Sequence, residues 1–164
     1  MIEPHGLYYP PRWIRESNLI EDVDDPEEDL RSYGAWEWLT GDDPPSPSVS
    51  TILELHRRIM KHLNLRIAGK LRRVAVYVGG RTCPPPESVP MLLSQWISYE
   101  NDAAFTETLI QAAHVWFEQI HPFEDGNGRT GRMLMNWQRV RNGFEPLCIE
   151  AAHRGKYYEW FREE

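Results

Sequence analysis

Apolar residues recur along most of this chain at helical rather than alternating intervals, which predicts a mainly α protein with one small hairpin. A strip to Pro11, interrupted by Pro4, Gly6, Pro10 and Pro11, reads as loop. A short helix then begins near Arg12, carries Trp13, Ile14, Asn18, Leu19 and Ile20, and is stopped by an acidic run and Pro26. Leu30, Tyr33, Gly34, Trp36, Trp38 and Leu39 predict a second helix over 27–39, and Gly41-Asp42-Asp43-Pro44-Pro45-Ser46-Pro47 is a loop. Thr51-Ile52-Leu53-Glu54 has the form of a capping box and would open a helix with Ile52, Leu55, Ile59 and Leu63 on one face. Helical spacing returns over 90–99 and 103–120, the latter with Phe105, Leu109, Ala112, Trp116 and Ile120 as one stripe. A last helix from about Thr130 carries Met133, Leu134, Trp137 and Val140 and breaks at Asn142-Gly143.

The exception to helical spacing is Val74-Ala75-Val76-Tyr77-Val78, a β-branched and aromatic run ending at Gly79-Gly80, a strong turn signal. Pro84-Pro85-Pro86 cannot continue a central strand, so the returning arm is short or edge-like.

Composition narrows the class. The chain has 164 residues, 41% apolar and 26% charged, which suits one compact soluble unit. No stretch approaches the ~18 uninterrupted apolar residues of a membrane span, and the opening Met1-Ile2-Glu3-Pro4-His5 lacks the layout of a secretory signal, so a cytoplasmic protein is expected. Cys83 and Cys148 have neither disulfide-framework nor metal-ligand spacing and are expected as free thiols.

The net charge of −7 argues against nucleic acid as a partner, but it is unevenly distributed. Seven acids lie within residues 21–29 (Glu21, Asp22, Asp24, Asp25, Glu27, Glu28, Asp29); the remaining 18 acids balance the 18 Lys and Arg. From Arg57 to Pro86, conversely, there are eight bases and no acid, expected as a solvated face or a partner for the acidic run.

Candidate chemistry concentrates in His121-Pro122-Phe123-Glu124-Asp125-Gly126-Asn127-Gly128-Arg129-Thr130-Gly131-Arg132. Gly126 and Gly128 let main-chain amides face a concavity, and a following helix N-terminus adds partial positive charge, which together form an anion site. Arg129 and Arg132, three apart, reach further phosphate oxygens. Asp125 offers a hard oxygen suited to Mg²⁺, and His121 is the side chain able to accept a proton at neutral pH. A base, a metal ligand, an amide cradle and two cations describe transfer of a phosphorus group to a hydroxyl.

This segment resembles the signature of Fic-domain proteins, His-x-Phe-x-(Asp/Glu)-Gly-Asn-Gly-Arg-x-x-Arg, at all eight specified positions. Leu55-His56, Gly69-Lys70-Leu71-Arg72 leading into Val74–Gly80, Pro84 to Pro90, and Met133-Leu134-Met135-Asn136 extend the likeness over about 140 residues. The resemblance implies a Fic fold, a helical bundle with a β-hairpin flap over the active site, and transfer of AMP from ATP to a Ser, Thr or Tyr hydroxyl of a target protein. By similarity His121 would deprotonate the hydroxyl and Asp125 would hold Mg²⁺. Asn127 would orient the α-phosphate, the amides at Gly126 and Gly128 with Arg129 would stabilise the phosphates, and Arg132 would engage the γ-phosphate. Phe123 would pack under the loop. Val76, Tyr77, Val78, Gly79 and Gly80 would form the flap that holds a target segment by strand pairing, self-modification included.

Ser17-Asn18-Leu19-Ile20-Glu21 further resembles the family's inhibitory motif, (Ser/Thr)-x-x-x-Glu, whose Glu pairs with the second signature Arg, here Arg132. Asp22 departs from the Gly or Asn usual after it. The implied organisation is an inhibitory segment, 1–29, before a Fic domain, 30–164, with the other six acids as a solvated hinge. The same fold also serves other phosphorus chemistry: removal of AMP, other nucleotide donors, or phosphate transfer, whose relatives usually have Lys in place of Gly128. A non-catalytic nucleotide-binding module is the remaining alternative.

Overall fold

The computed structural model describes residues 9–102 and 105–162. It contains α1 (Arg12–Ile20), α2 (Pro26–Thr40), α3 (Val49–Met60), a two-stranded hairpin of β1 (Tyr77–Val78) and β2 (Arg81–Thr82), α4 (Val89–Asp102), α5 (Glu107–Ile120), α6 (Asn127–Arg141) and α7 (Arg154–Tyr158). The mainly α expectation is met. The loop expected before Tyr9 and the helix start at Ala103 lie outside the described residues. Among the described residues no helix is long and apolar enough to cross a membrane.

α6 is the axis of the bundle, with α5, α3, α2 and α1 packed around it. Leu39, Ile52, Leu55, Ile59, Met60, Leu93, Trp96, Phe117, Ile120, Phe123 and Leu134 form one buried core. Trp96 fixes α4 to α5 by stacking edge-on against Phe117 and donating its indole N–H to the Ala113 carbonyl at 2.8 Å. Trp13 and Ile14 belong to the same core, and α2 runs unbroken across residues 29 and 30, so the expected boundary there falls inside one helix.

Several elements differ from the sequence expectations. α3 is capped by Ser48, which accepts the Thr51 N–H at 3.1 Å, so Thr51 sits inside the first turn and the expected capping box does not form; Glu54 pairs with Arg57 and Arg58 instead. Leu30 and Leu63 of the expected stripes are exposed. On α5 the buried residues are Ile110, Ala113, His114, Phe117 and Ile120, one position round from the expected stripe, because a buried His and the adjacent aromatics Trp116 and Phe117 blur the periodicity. The strand expected over 74–78 shrinks to Tyr77–Val78, with one more bond from the Cys83 N–H to the Val76 carbonyl at 3.1 Å. The Gly79-Gly80 turn forms as expected, both residues at positive φ (56° and 82°). Cys83 and Cys148 are free and half-buried.

The acidic run is not a solvated hinge. Asp25 caps α2 by accepting the Glu27 N–H at 2.9 Å, and Glu28 and Asp29 are buried. Asp29 accepts from Asn18 (2.8 Å) and Arg15 (3.1 Å), which staples α1 to α2. The basic stretch has other partners: Arg57 and Arg58 pair with Glu54, Arg66 with Glu124, and Arg72 is buried.

Candidate active site

Helix α5 ends at Ile120, and His121 turns the chain out in a left-handed conformation (φ 48°) while its N–H still donates to the Phe117 carbonyl at 3.0 Å. The ring Nδ1 faces the Glu118 carbonyl at 3.3 Å. A proton on Nδ1 directed there leaves Nε2 as the free lone pair. Burial pushes the His121 pKa down, so the ring is neutral near pH 7.

The following loop is built on Phe123, which is fully buried and stacks on His56 with ring centroids 3.6 Å apart and planes 1° apart. His56 accepts the Gly69 N–H at Nδ1 (2.9 Å) and donates from Nε2 to the Asp125 carbonyl (2.9 Å); burial lowers its pKa to about 4, which keeps this donor–acceptor pattern at neutral pH. Asn127 closes the loop from the other side. Its Oδ1 accepts the Phe123 N–H and its Nδ2 donates to the Phe123 carbonyl, both at 2.9 Å. The Asn127 amide, expected at the α-phosphate, is thus engaged with backbone and acts as the loop's clamp.

Gly126 caps α6 at φ 80°; a Cβ there would meet the Met60 sulfur at 2.6 Å, so the close approach of α3 also excludes a larger residue. The first helical bond of α6 runs from Thr130 N–H to the Gly126 carbonyl at 3.1 Å, and the N–H groups before it have no acceptor within the helix. With no side chain from Gly126 capping them, they are free donors in the geometry of an amide cradle.

Two guanidinium groups lie behind the cradle. Arg129 is 6% exposed, its Nη2 is 3.3 Å from the Met60 sulfur and 3.9 Å from Asp125 Oδ1, and its Nε has no partner among the described residues. A buried cation so thinly compensated is a place for an anion. Arg132, 2% exposed, is engaged through four of its five N–H groups. It donates from Nε to Ser17 Oγ (2.8 Å), from Nη2 to the Ser17 carbonyl (2.9 Å) and Glu21 Oε1 (2.7 Å), and from Nη1 to the Tyr157 hydroxyl (3.4 Å). Gly128 lies directly beneath the Glu21–Arg132 pair, where a Cβ would overlap Glu21 Oε1 and stand 2.8 Å from Arg132 Nη1.

The Asp125 side chain is 67% exposed and its Oδ1 accepts the Gly126 N–H at 2.6 Å. Among the described residues no group of three or more His, Cys, Asp and Glu could hold a metal by protein ligands alone. A lone, open carboxylate beside an anion cradle fits Mg²⁺, which binds through one or two carboxylates with phosphate oxygens and water completing its shell.

The structure therefore brings His121, Phe123, Asp125, Gly126, Asn127, Gly128, Arg129, Arg132, Glu21 and Ser17 to one end of α6. Val76–Gly80 form the exposed hairpin, tied next to His121 through Arg72. Sequence reasoning missed Met60, Arg72, Glu118 and Tyr157. Burial raises the Glu118 pKa to about 7, and its carboxylate lies 3.9 Å from the His121 ring. Tyr157 reaches Arg132 from α7 and pairs with the buried His114 at 2.9 Å. Nothing local to position 157 marked it. Asp22 takes φ 57°, which explains why Gly or Asn suits that position, and its carboxylate pairs with Arg154 at 3.1 Å.

The model of the Fic/DOC family matches residues 46–138. The protein adenylyltransferase Fic of Culex quinquefasciatus is 39% identical over 119 residues, covering 70% of this chain and 24% of the relative, so the chain spans about a quarter of its length. Among solved structures, Fic-1 from C. elegans superimposes with a TM-score of 0.74 at 26% identity, over 90% of this chain and 52% of the other. A Fic domain containing signaling protein from Bacteroides thetaiotaomicron gives 0.77 at 23% identity, over 90% and 69%.

Proposed function

Because this chain belongs to the Fic/DOC family, we propose that it is an ATP-dependent protein adenylyltransferase, held inactive by Glu21, that moves AMP to a hydroxyl of a target protein. The observation that carries the reading is the convergence of a neutral His121 with free helix amides and the incompletely partnered cation of Arg129. His121 Nε2 takes the proton as the hydroxyl oxygen bonds to the α-phosphorus, and the bond to the β-phosphate oxygen breaks to release pyrophosphate. Preorganised donors suit this step, which needs positioning and charge neutralisation more than covalent help. The amides at the α6 N-terminus and Arg129 receive the phosphates, while Asn127 and Phe123 hold the loop on His56. Asp125 would hold Mg²⁺, which when bound neutralises phosphate charge and orients the leaving group.

With Glu21 in place, four of the five Arg132 N–H donors are taken and a carboxylate stands where a terminal phosphate would go, so ATP is not seated productively. The exposed edge of the 77–82 hairpin suits a target segment added by strand pairing, a sequence-tolerant mode that also permits self-modification. A cytoplasmic, reducing setting fits the two free thiols.

The test is mass spectrometry of the Glu21→Gly chain and of the Glu21→Gly, His121→Ala double variant, each incubated with ATP, UTP or GTP, Mg²⁺ and a cell lysate. AMP should be added by the first and not the second, with ATP binding retained by both. Transfer by the His121→Ala protein would remove the assigned base, and no transfer with any nucleotide would favour a non-catalytic binding module.

A further inference from the structure

Arg72 is 2% exposed, yet among the described residues no carboxylate pairs with it, and burial pushes its pKa down. Every hydrogen bond it donates goes to a main-chain carbonyl. Nε donates to His121 O at 2.7 Å, Nη1 to Val74 O at 3.1 Å, and Nη2 to Pro84 O at 2.6 Å and Ile120 O at 3.3 Å, while its backbone N–H donates to Pro122 O at 3.0 Å. These acceptors come from two places. Ile120, His121 and Pro122 are the end of α5, where the last carbonyls lack helical donors and carry the negative end of the helix dipole. Val74 and Pro84 are the two bases of the hairpin, outside its short ladder.

Pro84 has no N–H to donate to the Val74 carbonyl, and both residues lie outside the ladder of Tyr77–Thr82 and Val78–Arg81. An open hairpin of two-residue strands has little else to hold its splay. A planar guanidinium with donors pointing two ways satisfies both carbonyls at once and reaches His121 with a third edge. A lysine, as a single point donor, could not span the same set. The peptide that Arg72 grips at His121 is also strained, since a non-glycine residue at φ 48° holds that conformation only when its surroundings enforce it.

We propose that Arg72 is the positioning residue that sets the hairpin's register against His121, so that a hydroxyl presented along the hairpin edge meets the imidazole Nε2. This rests on the transfer reading above. Arg72 meets the loop only at its first two carbonyls, those of His121 and Pro122, away from the free amides of the α6 N-terminus, and it acts through the His121 backbone and the hairpin. Its loss should therefore separate target presentation from nucleotide binding.

The test places Arg72→Lys in the Glu21→Gly chain and reads kcat and KM for ATP in labelling of the chain itself and of lysate proteins, with amide hydrogen exchange on the same samples. The expected result is a fall in kcat of about 100-fold, the usual cost of a misplacement near 1 Å, with KM for ATP unchanged. Exchange of the Cys83 and His121 amides should accelerate while the Thr130 amide in the nucleotide loop does not. Unchanged kcat, or a rise in KM for ATP that accounts for the loss, overturns the proposal, as do native exchange rates at Cys83 and His121. If the Glu21→Gly parent itself does not label, the transfer reading fails, and the exchange result alone decides whether Arg72 ties the hairpin to His121. Should Arg72→Lys fail to fold, native-state exchange of the unsubstituted chain in rising denaturant decides it. The Cys83 and His121 amides must then open as one unit, and independent opening rejects the tie.

Discussion

Replacing Glu21 by Gly removes one of four acceptors from Arg132, its paired carboxylate, and leaves the three neutral ones, Ser17 Oγ, the Ser17 carbonyl and the Tyr157 hydroxyl, to hold the guanidinium until a phosphate replaces the lost charge. The Glu21 Oε1 to Arg132 Nη2 bond is 2.7 Å long, with the Arg132 side chain 3% exposed and that of Glu21 35% exposed. A charged hydrogen bond of this kind contributes about 1.5–3 kcal/mol, and the partial exposure of Glu21 places it toward the middle of that range, about 2 kcal/mol. At ~1.4 kcal/mol per decade, the population able to seat ATP rises about 30-fold. The assay is the initial rate of incorporation from α-labelled ATP at subsaturating ATP, with Mg²⁺. Glu21→Gln, which keeps an oxygen acceptor and loses the charge, should give a smaller rise than Glu21→Gly. Equal initial rates for the parent and Glu21→Gly would refute the brake, because nothing else at position 21 holds Arg132.

Two further expectations concern stability. Gly126→Ala should lower stability by about 2 kcal/mol or more, because it places a Cβ at positive φ and against the Met60 sulfur; this is read as a fall in the urea midpoint, and an unchanged midpoint would mean that the loop does not need its left-handed turn. Stability should also climb with pH between about 4.5 and 6.5. Burial holds His56 at about 4 and His114 at about 3, so across that window the unfolded chain binds more protons at both, and their contribution, about 3 kcal/mol for His56, is complete above 6.5. Glu118, raised to about 7, works in the opposite direction from 4.5 to 7, being neutral in the fold and ionised when unfolded. Two groups outweigh one, and Glu118→Gln should steepen the rise; urea midpoints that are flat or falling over this range contradict the assignment.

Much of the site was legible because its chemistry is local. The residues from His121 to Arg132 are contiguous, the two glycines state their own backbone requirement, and the helix that follows supplies its amides without further instruction. The start of α6 was placed three residues late, at Thr130, because Asn127, Gly128 and Arg129 are polar and hydrophobic periodicity has no signal there. Asn127 and Arg129 are almost completely buried all the same, since α6 is the bundle's axis and neighbouring elements meet its polar groups: Ser17 and Tyr157 for Arg132, and Leu147 for Asn136.

By itself the sequence determined the helical class and the glycine turn of the hairpin, because each depends on residue type at short spacing, while the loop from His121 to Arg132 and the pairing of Glu21 with Arg132 were legible through their likeness to the family's motifs. Only the tertiary structure decided that the acidic run staples α1 to α2, that Asn127 clamps Phe123, that Tyr157 completes the hold on Arg132, and that Arg72 joins the hairpin to the end of α5. Those roles depend on which carbonyls and carboxylates remain unpaired once the helices have packed, and that is a property of the assembled core, which no spacing along the chain records.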